Sequence, residues 1–232
     1  MSTVLHRRSR SRRATLLTAL GVAVASAGFA STAEAATVAG TIAITDGVAS
    51  PTRTSAPAGG SYFWFEDPPR GSGTPHPNAT PNNLNPNYTL LAAGSTGLTL
   101  GTAQPLYVGG VYAGSEILDP QTFDGAPFGV HTTGAVTLQY NDDNTGARTN
   151  RAQPLVSSDI SAWTVHWGVD PNFLLYGQGA DQVGSGRDHD LSGTYNEVTG
   201  EVRLTWSSEI YNAFGPPAFN DGTGHWTIVG TI

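Results

Sequence analysis

Short segments with alternating apolar and polar side chains constrain this chain more than any other sequence feature. They are clearest near the C-terminus, where turn residues separate three of them: Leu191–Tyr195, Glu201–Trp206 and His225–Ile232. In the second segment Val202, Leu204 and Trp206 share one face, because side chains two apart in a strand point the same way. We predict three strands joined by turns here, with Gly200 taking a positive φ at the end of the first connection.

Segments of the same kind recur along the chain at intervals of about 8 to 20 residues, and no stretch shows the 3.6-residue period of a helix. We predict further strands, the third and fourth forming a hairpin, at Thr37–Thr45, Ser61–Phe65, Tyr88–Ala93, Leu98–Thr102, Leu106–Tyr112, Val130–Tyr140 and Asp159–Val169. Many short strands separated by turn residues indicate an all-β, single-domain fold. A two-sheet β-sandwich of jelly-roll type fits best, with a flattened β-barrel as the alternative.

The segment Asp159–Val169 has the clearest buried face in the chain. Trp163, Val165 and Trp167 follow one another at period two, and the opposite face carries small or polar residues such as His166. Aromatic side chains on a regular apolar face mainly fill core volume. We therefore expect both tryptophans to lie between the two sheets and His166 to lie near the surface.

The N-terminal segment has the features of an export signal. Met1–Arg13 carries five arginines and no acidic residue, and Ala14–Ala30 is apolar. Ala33-Glu34-Ala35 then matches the small-x-small pattern that precedes a cleavage site. We predict that residues 1–35 are removed and that the mature protein is a single β-rich domain, residues 36–232.

The route of export is open between two alternatives. The segment Ser11–Leu17, which contains Arg12 and Arg13, resembles the twin-arginine export motif, whose pathway carries folded proteins. Thr15 and Leu17 depart from that motif, and an arginine-rich general secretory signal is the alternative. Either route predicts a secreted, extracellular protein that has no membrane partner once the signal is cleaved.

Charge and cysteine content narrow the possible partners. The 11 basic residues of the chain include the five signal arginines and the 18 acidic ones include Glu34, so residues 36–232 have a formal charge of −11. Such a chain repels phosphate backbones, which excludes nucleic acid as an expected partner. The chain has no cysteine, so the exported domain must rest on an ordinary hydrophobic core rather than on disulfides.

One long segment, Glu66–Asn87, breaks the strand pattern. It contains six prolines, which lack a backbone donor and cannot pair inside a sheet. Long irregular loops in compact domains are usually functional or disordered. We predict an irregular, mobile loop that a protease cuts before it cuts the strands.

Two acidic segments are candidates for a metal site. Asp142 and Asp143 lie in Asn141–Gly146, where oxygen ligands followed by glycine are compatible with an open calcium site on a loop, although the bidentate glutamate of an EF-hand is missing. The alternative is a hairpin turn, since the same residue types form turns. Asp188, His189 and Asp190 could share a metal in a loop but not in a strand, and the alternative there is a solvated turn. No other cofactor is expected.

No nucleophile motif of a known enzyme class occurs in the chain, so no catalytic residue is assigned. Several acids, Glu66 among them, could form the carboxylate pair of a glycoside hydrolase, but their spacing in the sequence does not report their spacing in space. Aromatic residues near loops suggest a second chemistry, the stacking of sugars on exposed rings. The candidates for this ligand-binding role are Tyr62, Trp64, Tyr211 and Phe214.

Three segments of the chain have a familiar pattern: Asp159–Trp163, Leu191–Ser208 with its Leu-Ser-Gly-Thr-Tyr and Leu-Thr-Trp-Ser-Ser motifs, and Gly222–Thr231. In these segments the chain resembles a group of secreted, β-rich bacterial proteins of unknown function. Many members carry a C-terminal exosortase sorting tail of the PEP-CTERM type. This chain ends at Ile232 without such a tail, so release rather than surface sorting is expected. The resemblance implies a fold and a compartment but no activity.

Three functions remain as hypotheses. The first is a non-enzymatic extracellular protein with a structural, envelope-associated or matrix role. The second is a carbohydrate- or small-ligand-binding module, for which a cell-envelope or extracellular polysaccharide is the expected partner. The third is a secreted glycoside hydrolase-like enzyme. The absence of a catalytic motif favours a protein that is not an enzyme.

Overall fold

The computed structural model describes residues 34–67, 72–105, 107–108, 111–112, 117–142, 151–167, 175–176, 191–209 and 222–232. Within these ranges the backbone forms strands and no helix, which confirms the all-β prediction. The first eight strands are β1 Glu34–Val38, β2 Thr41–Ile44, β3 Tyr62–Glu66, β4 Thr89–Leu90, β5 Leu98–Thr99, β6 Tyr107–Val108, β7 Val111–Tyr112 and β8 Gln121–Phe123. The other eight are β9 Ala126–Thr132, β10 Thr137–Asp142, β11 Gln153–Asp159, β12 Trp163–Trp167, β13 Leu175–Tyr176, β14 Ser192–Tyr195, β15 Glu201–Glu209 and β16 Thr223–Thr231.

The larger sheet is curled and antiparallel, in the order β1-β10-β11-β14-β15-β16-β2-β5. Strand β16 also pairs with β3, which in turn pairs with β4. The predicted C-terminal strands form its centre: β15 and β16 are in register from Glu201↔Thr231 to Glu209↔Thr223. Gly200 ends the β14–β15 connection with φ +73°, as its position predicts. Residues Ala33–Ile232 form one compact unit, and no helix within the described ranges has the length and hydrophobicity to cross a bilayer.

A four-stranded sheet, β13-β12-β9-β8, supplies the second layer, and β6 with β7 forms a small hairpin. Trp163 of β12 is fully buried and its ring contacts the rings of Trp206 and Trp226 from the larger sheet, at centroid distances of 5.1 and 5.5 Å. Trp163 therefore lies in the core between two sheets, as predicted. The side chains of Trp167 and His166 lie outside the described part of the structure.

Two segments predicted as single strands cross from one sheet to the other. Val130–Tyr140 divides into the end of β9 and the start of β10, and Asp159 ends β11 before β12 begins at Trp163. At the second crossing the Asp159 carboxylate accepts a hydrogen bond from the Ser161 N–H at 2.8 Å, and the Ile160 carbonyl accepts one from Trp163. Local hydrogen bonds of this kind turn the chain. The alternation of apolar and polar residues continues through this turn, so the sequence pattern did not reveal it.

The predicted hairpin between Tyr88–Ala93 and Leu98–Thr102 is wrong. Strand β4 pairs with β3, and β5 pairs with β2. Between these strands the chain pairs with a third segment, because Gly94 donates its N–H to the Ile117 carbonyl at 3.1 Å. The turn residues of this segment therefore connect two different partners instead of closing a hairpin.

After Glu66, which ends β3, the described part of the Pro-rich segment contains no strand, as expected of an irregular loop, but its second half is packed. Asn78, Asn83 and Asn85 are all buried. The Asn78 side chain donates to Thr89 Oγ1 at 2.8 Å and accepts from the backbone N–H of Asp124 at 3.0 Å. Buried amides that replace missing ladder bonds hold this half in place. The first half is bonded as well, since Asp67 donates its N–H to the Thr74 carbonyl at 2.9 Å and His76 donates its N–H to the Phe65 carbonyl at 2.8 Å. The described residues of the segment therefore do not fit the expectation of a mobile loop.

Candidate functional site

Strand β3 places two of the predicted ligand-binding residues side by side on the outer face of the larger sheet. Phe63 and Phe65 point inward and are 3% and 1% exposed, because successive side chains of a strand face opposite ways. Tyr62 and Trp64 therefore lie on the outer face, where both are half-buried. The alternation of rings on both faces, visible in the sequence, produces this arrangement.

Trp64 is held by an aromatic partner on the next strand. Its register partner across the sheet is His225 of β16, and the two rings stack with centroids 3.8 Å apart and planes 4° apart. Cross-strand pairs of this kind are the units that stabilise a sheet surface. One face of the indole is thus covered by the imidazole, which fixes the orientation of the ring.

Glu66 fixes His225 in turn. Its Oε2 lies 3.0 Å from His225 Nε2, and its Oε1 accepts the Gly73 N–H at 2.6 Å and the Ser72 hydroxyl at 3.4 Å. The Glu66 residue is only 5% exposed, although it lies on the outer face of β3. The reason is that the loop after β3 folds back over it, where Pro75 forms an isolated antiparallel β-bridge with Glu66.

The surroundings of Glu66 favour its charged form. Burial alone would raise the pKa of this carboxyl, but the hydrogen bonds from the Gly73 N–H, His225 and Ser72, together with the charge on His225, lower the pKa below its usual 4.5. A carboxylate that accepts several hydrogen bonds behaves in this way. Glu66 is therefore ionised at neutral pH.

Two tyrosines continue the aromatic surface beside Trp64. Tyr62 meets Tyr88 edge to face, with centroids 5.7 Å apart. Burial, and then the electrostatic influence of the neighbouring Tyr62, raises the pKa of Tyr88, so its hydroxyl remains a neutral donor and acceptor at neutral pH. We call these five residues, Tyr62, Trp64, Glu66, Tyr88 and His225, the β3 patch.

The same outer face has a different character only two strands away. Arg203 and Thr205 of β15 are exposed, and Thr205 lies in the cross-strand row that runs through Thr227 to Tyr62. A solvent-facing sheet surface is expected to be polar in this way. The large rings at β3 therefore contrast with the polar side chains that β15 presents on the same face.

A second polar cluster anchors the loop beside the patch. His76 Nδ1 lies 2.7 Å from Asp67 Oδ1, and its Nε2 lies 3.8 Å from Asp124 Oδ2. Asp124 and Gly125 have φ of 48° and 79° and form the two-residue turn between β8 and β9. An Asp-Gly pair between strands is a strong hairpin signal, and it could have been found in the sequence. The cluster joins the loop after β3 to the smaller sheet.

The structure leaves the predicted metal residues largely untested. Asp142 is the last residue of β10, where its backbone pairs with Glu34. Asp143, Asp188, His189 and Asp190 lie outside the described residues. Within the described part of the chain no group of three or more His, Asp or Glu side chains is placed to hold a metal ion. The calcium site therefore stays a prediction.

The other two predicted aromatic residues, Tyr211 and Phe214, also lie outside the described ranges. Sequence reasoning did not identify the pairing of Glu66 with His225, which are 159 residues apart, nor the place of Tyr88. A partial signal was present, because Glu66 follows Tyr62 and Trp64 at period two and so shares their face. Nothing local in the sequence indicates His225.

No protein-family model, no curated protein and no solved structure matches this chain. The resemblance to secreted β-rich bacterial proteins therefore stays a prediction.

Proposed function

We propose that the protein is a non-enzymatic extracellular protein that binds a polysaccharide of the cell envelope or surrounding matrix through the β3 patch. The observation that carries this proposal is the indole of Trp64, whose orientation is fixed by the stacked ring of His225. It is half-buried on the outer face of a sheet, stacked on His225 at 3.8 Å, and His225 is itself bound to a buried carboxylate. A rigid ring with a partly exposed surface loses little conformational entropy when a ligand covers it.

The composition of the patch suits a sugar. Trp and Tyr combine an apolar ring with a polar atom, which matches the apolar faces and hydroxyl edges of a pyranose. Tyr62 and Tyr88 provide hydroxyl groups next to the indole. Trp and Tyr are also the residues that most often dominate the energy of an interface.

The charge of the protein narrows the sugar class. With a formal charge of −11 on residues 36–232, and an ionised Glu66 in the patch, a polyanion such as a uronic-acid polymer would be repelled. We therefore propose a neutral or cationic glycan as the ligand.

The state of Glu66 favours binding over hydrolysis at this patch. A glycoside hydrolase needs one carboxylic acid with a raised pKa to protonate the leaving group. The pKa of Glu66 is instead lowered by its donors, so Glu66 suits a positioning role, in which it orients His225 and through it Trp64.

Affinity electrophoresis tests the proposal. Residues 36–232 are run through gels that contain a neutral β-glucan, xylan, soluble chitin oligomers, chitosan or alginate. We expect retention by at least one neutral or cationic glycan and none by alginate. Trp64→Ala should weaken the retained interaction at least about tenfold, since loss of a central aromatic residue costs about 2 kcal/mol or more.

Thr205→Ala is the matched control, because Thr205 is exposed on the same face of the same sheet. It should bind like the unaltered protein. Absence of retention on every glycan, or equal loss in the Trp64 and Thr205 variants, would refute the proposal.

A further inference from the structure

The first strand of the fold contains the bond at which the export signal is predicted to be cut. Cleavage after Ala35 breaks the Ala35–Ala36 peptide bond, and both residues belong to β1. In the structure β1 pairs antiparallel with β10, with Ala35 opposite Asn141 and Ala36 opposite Tyr140. In the folded full-length chain the scissile bond is therefore part of a sheet.

The two sides of this bond contribute differently to the fold. Val38 is 4% exposed and Ala36 packs against the core, whereas Ala35 is exposed. Cleavage removes Glu34 and Ala35 from the strand and leaves Ala36, Thr37 and Val38 in register with β10. The mature protein thus keeps the part of β1 that anchors it.

A peptidase needs the bond free. Peptide substrates commonly bind as extended segments whose backbone groups pair with the enzyme, a form of strand addition. The backbone of β1 is already paired with β10, so it must leave the sheet before it can enter such a site. The folded precursor should consequently be protected at the bond where it must be cut.

We propose that the Ala35–Ala36 bond is hydrolysed before β1 pairs with β10, so that processing precedes folding of the N-terminal strand. The enzyme is an endopeptidase that accepts small residues at the first and third positions before the bond. Water adds across the bond, leaving a carboxylate on Ala35 and an ammonium group on Ala36, which then docks opposite Tyr140. This inference rests on the proposed export signal and is independent of glycan binding.

The order of events also bears on the route of export. The general secretory pathway delivers an unfolded chain, in which the bond is accessible, whereas the twin-arginine pathway would present it already paired. The general pathway is therefore the route that this fold favours. Replacing Arg12 and Arg13 together by Lys should leave secretion unchanged, and a block of secretion would contradict this consequence.

The direct test compares two presentations of the full-length precursor, residues 1–232, to a purified bacterial signal peptidase in detergent. One sample is refolded first, and the other is diluted from denaturant straight into the enzyme. We expect the unfolded sample to be cut at least about tenfold faster, because protection in the folded sample follows the opening equilibrium of the strand. Intact mass should show a product that begins at Ala36.

Two variants, each with the same six-residue Gly-Ser spacer at a different position, test whether the pairing of β1 with β10 is what protects the bond. Placed between Ala36 and Thr37, the spacer moves the scissile bond off the sheet, and the refolded precursor should then be cut as fast as the unfolded one. Placed between Val38 and Ala39, just after the end of β1, it leaves the bond paired, and the refolded precursor should stay protected.

Equal cleavage rates for refolded and unfolded unaltered precursor would overturn the proposed order. Protection that persists with the spacer after Ala36 would also overturn it, because pairing of β1 would not be the cause. A precursor that is not cut even when unfolded would refute the export signal as well, which distinguishes that failure from a failure of the order alone.

Discussion

The two faces of the larger sheet use tryptophan in different ways. On the inner face Trp206 and Trp226 pack against Trp163 of the other sheet, all three at most 2% exposed. On the outer face Trp64 is half-buried and is held by a stacked histidine, which in turn contacts a carboxylate. The inner rings are positioned by close packing, and the outer ring is positioned by a histidine that a carboxylate holds. The same residue type therefore stabilises the core in one region and, under our proposal, binds a ligand in the other.

The polar atoms of the indoles show the same difference. The Nε1 atoms of Trp163 and Trp226 are buried without a hydrogen-bond partner, while Trp206 Nε1 donates to Ser208 Oγ at 3.2 Å. An unpaired buried N–H reduces stability, and it is tolerated here because each ring buries a large apolar area. Packing rather than hydrogen bonding therefore dominates the inner cluster.

The largest expected effect is on the inner cluster. Trp163→Ala should lower the free energy of unfolding by about 3–5 kcal/mol, through lost transfer energy and the cavity that remains. Urea denaturation measures it, with Val198→Ala as the control, because Val198 is 50% exposed in the β14–β15 turn. Equal midpoints for the two variants would show that the core does not lie at Trp163.

The next largest effect is expected at Glu66. Glu66→Gln should lower the free energy of unfolding by about 1–3 kcal/mol at pH 7, because it removes charge-assisted hydrogen bonds: a Gln whose amide oxygen still accepts from the Gly73 N–H presents its amide NH2, a donor, to His225. Since the pKa of Glu66 is lowered in the folded state, its ionisation stabilises the fold above pH 4.5, and that stabilisation is lost as the pH falls further.

The difference between Glu66→Gln and the unaltered protein should therefore shrink in urea melts below pH 4. Glu201→Gln, at an exposed position of β15, is the control, and its urea midpoint should stay close to that of the unaltered protein. A difference that is the same at pH 3 and pH 7 would mean that the Glu66 charge does not matter.

A local effect is expected in the loop after β3. Asn78→Ala leaves the backbone N–H groups of Thr80 and Asp124 without their acceptor, and the packed half of the loop should then open to protease. In limited proteolysis the variant should be cut within 79–87, where the unaltered protein should stay intact. Leu84→Ala, at a 52% exposed position of the same loop, should keep the original pattern.

The sequence predicts the features that depend on neighbouring residues better than those that depend on contacts between distant segments of the chain. Period-two alternation predicted the all-β class, the apolar face of β15 and the core position of Trp163, because local geometry sets which way side chains point. It missed the corners at 133–136 and 160–162, where a strand changes sheets without interrupting the alternation. It also predicted that β4 pairs with β5. Turn residues indicate where the chain turns, but they do not show which strands pair on either side of the turn.

The candidate site was predicted only in part for the same reason. Tyr62 and Trp64 were identified because they are large rings near a loop. The residues that make them a site, His225 and Tyr88, come from other strands or from the loop, and register across a sheet cannot be read from local sequence. The buried position of Glu66 depends on the loop that folds back over it.

The smallest expected effect on stability belongs to Trp64, and its test addresses the central claim most directly. The five tryptophans give separate indole N–H signals in a nitrogen-15 correlation spectrum, assigned with single Trp→Phe variants. On addition of a glycan that retains the protein in gels, the Trp64 signal should shift while those of Trp163, Trp206 and Trp226 stay in place. A glycan that binds while the Trp64 signal remains unchanged would contradict the account.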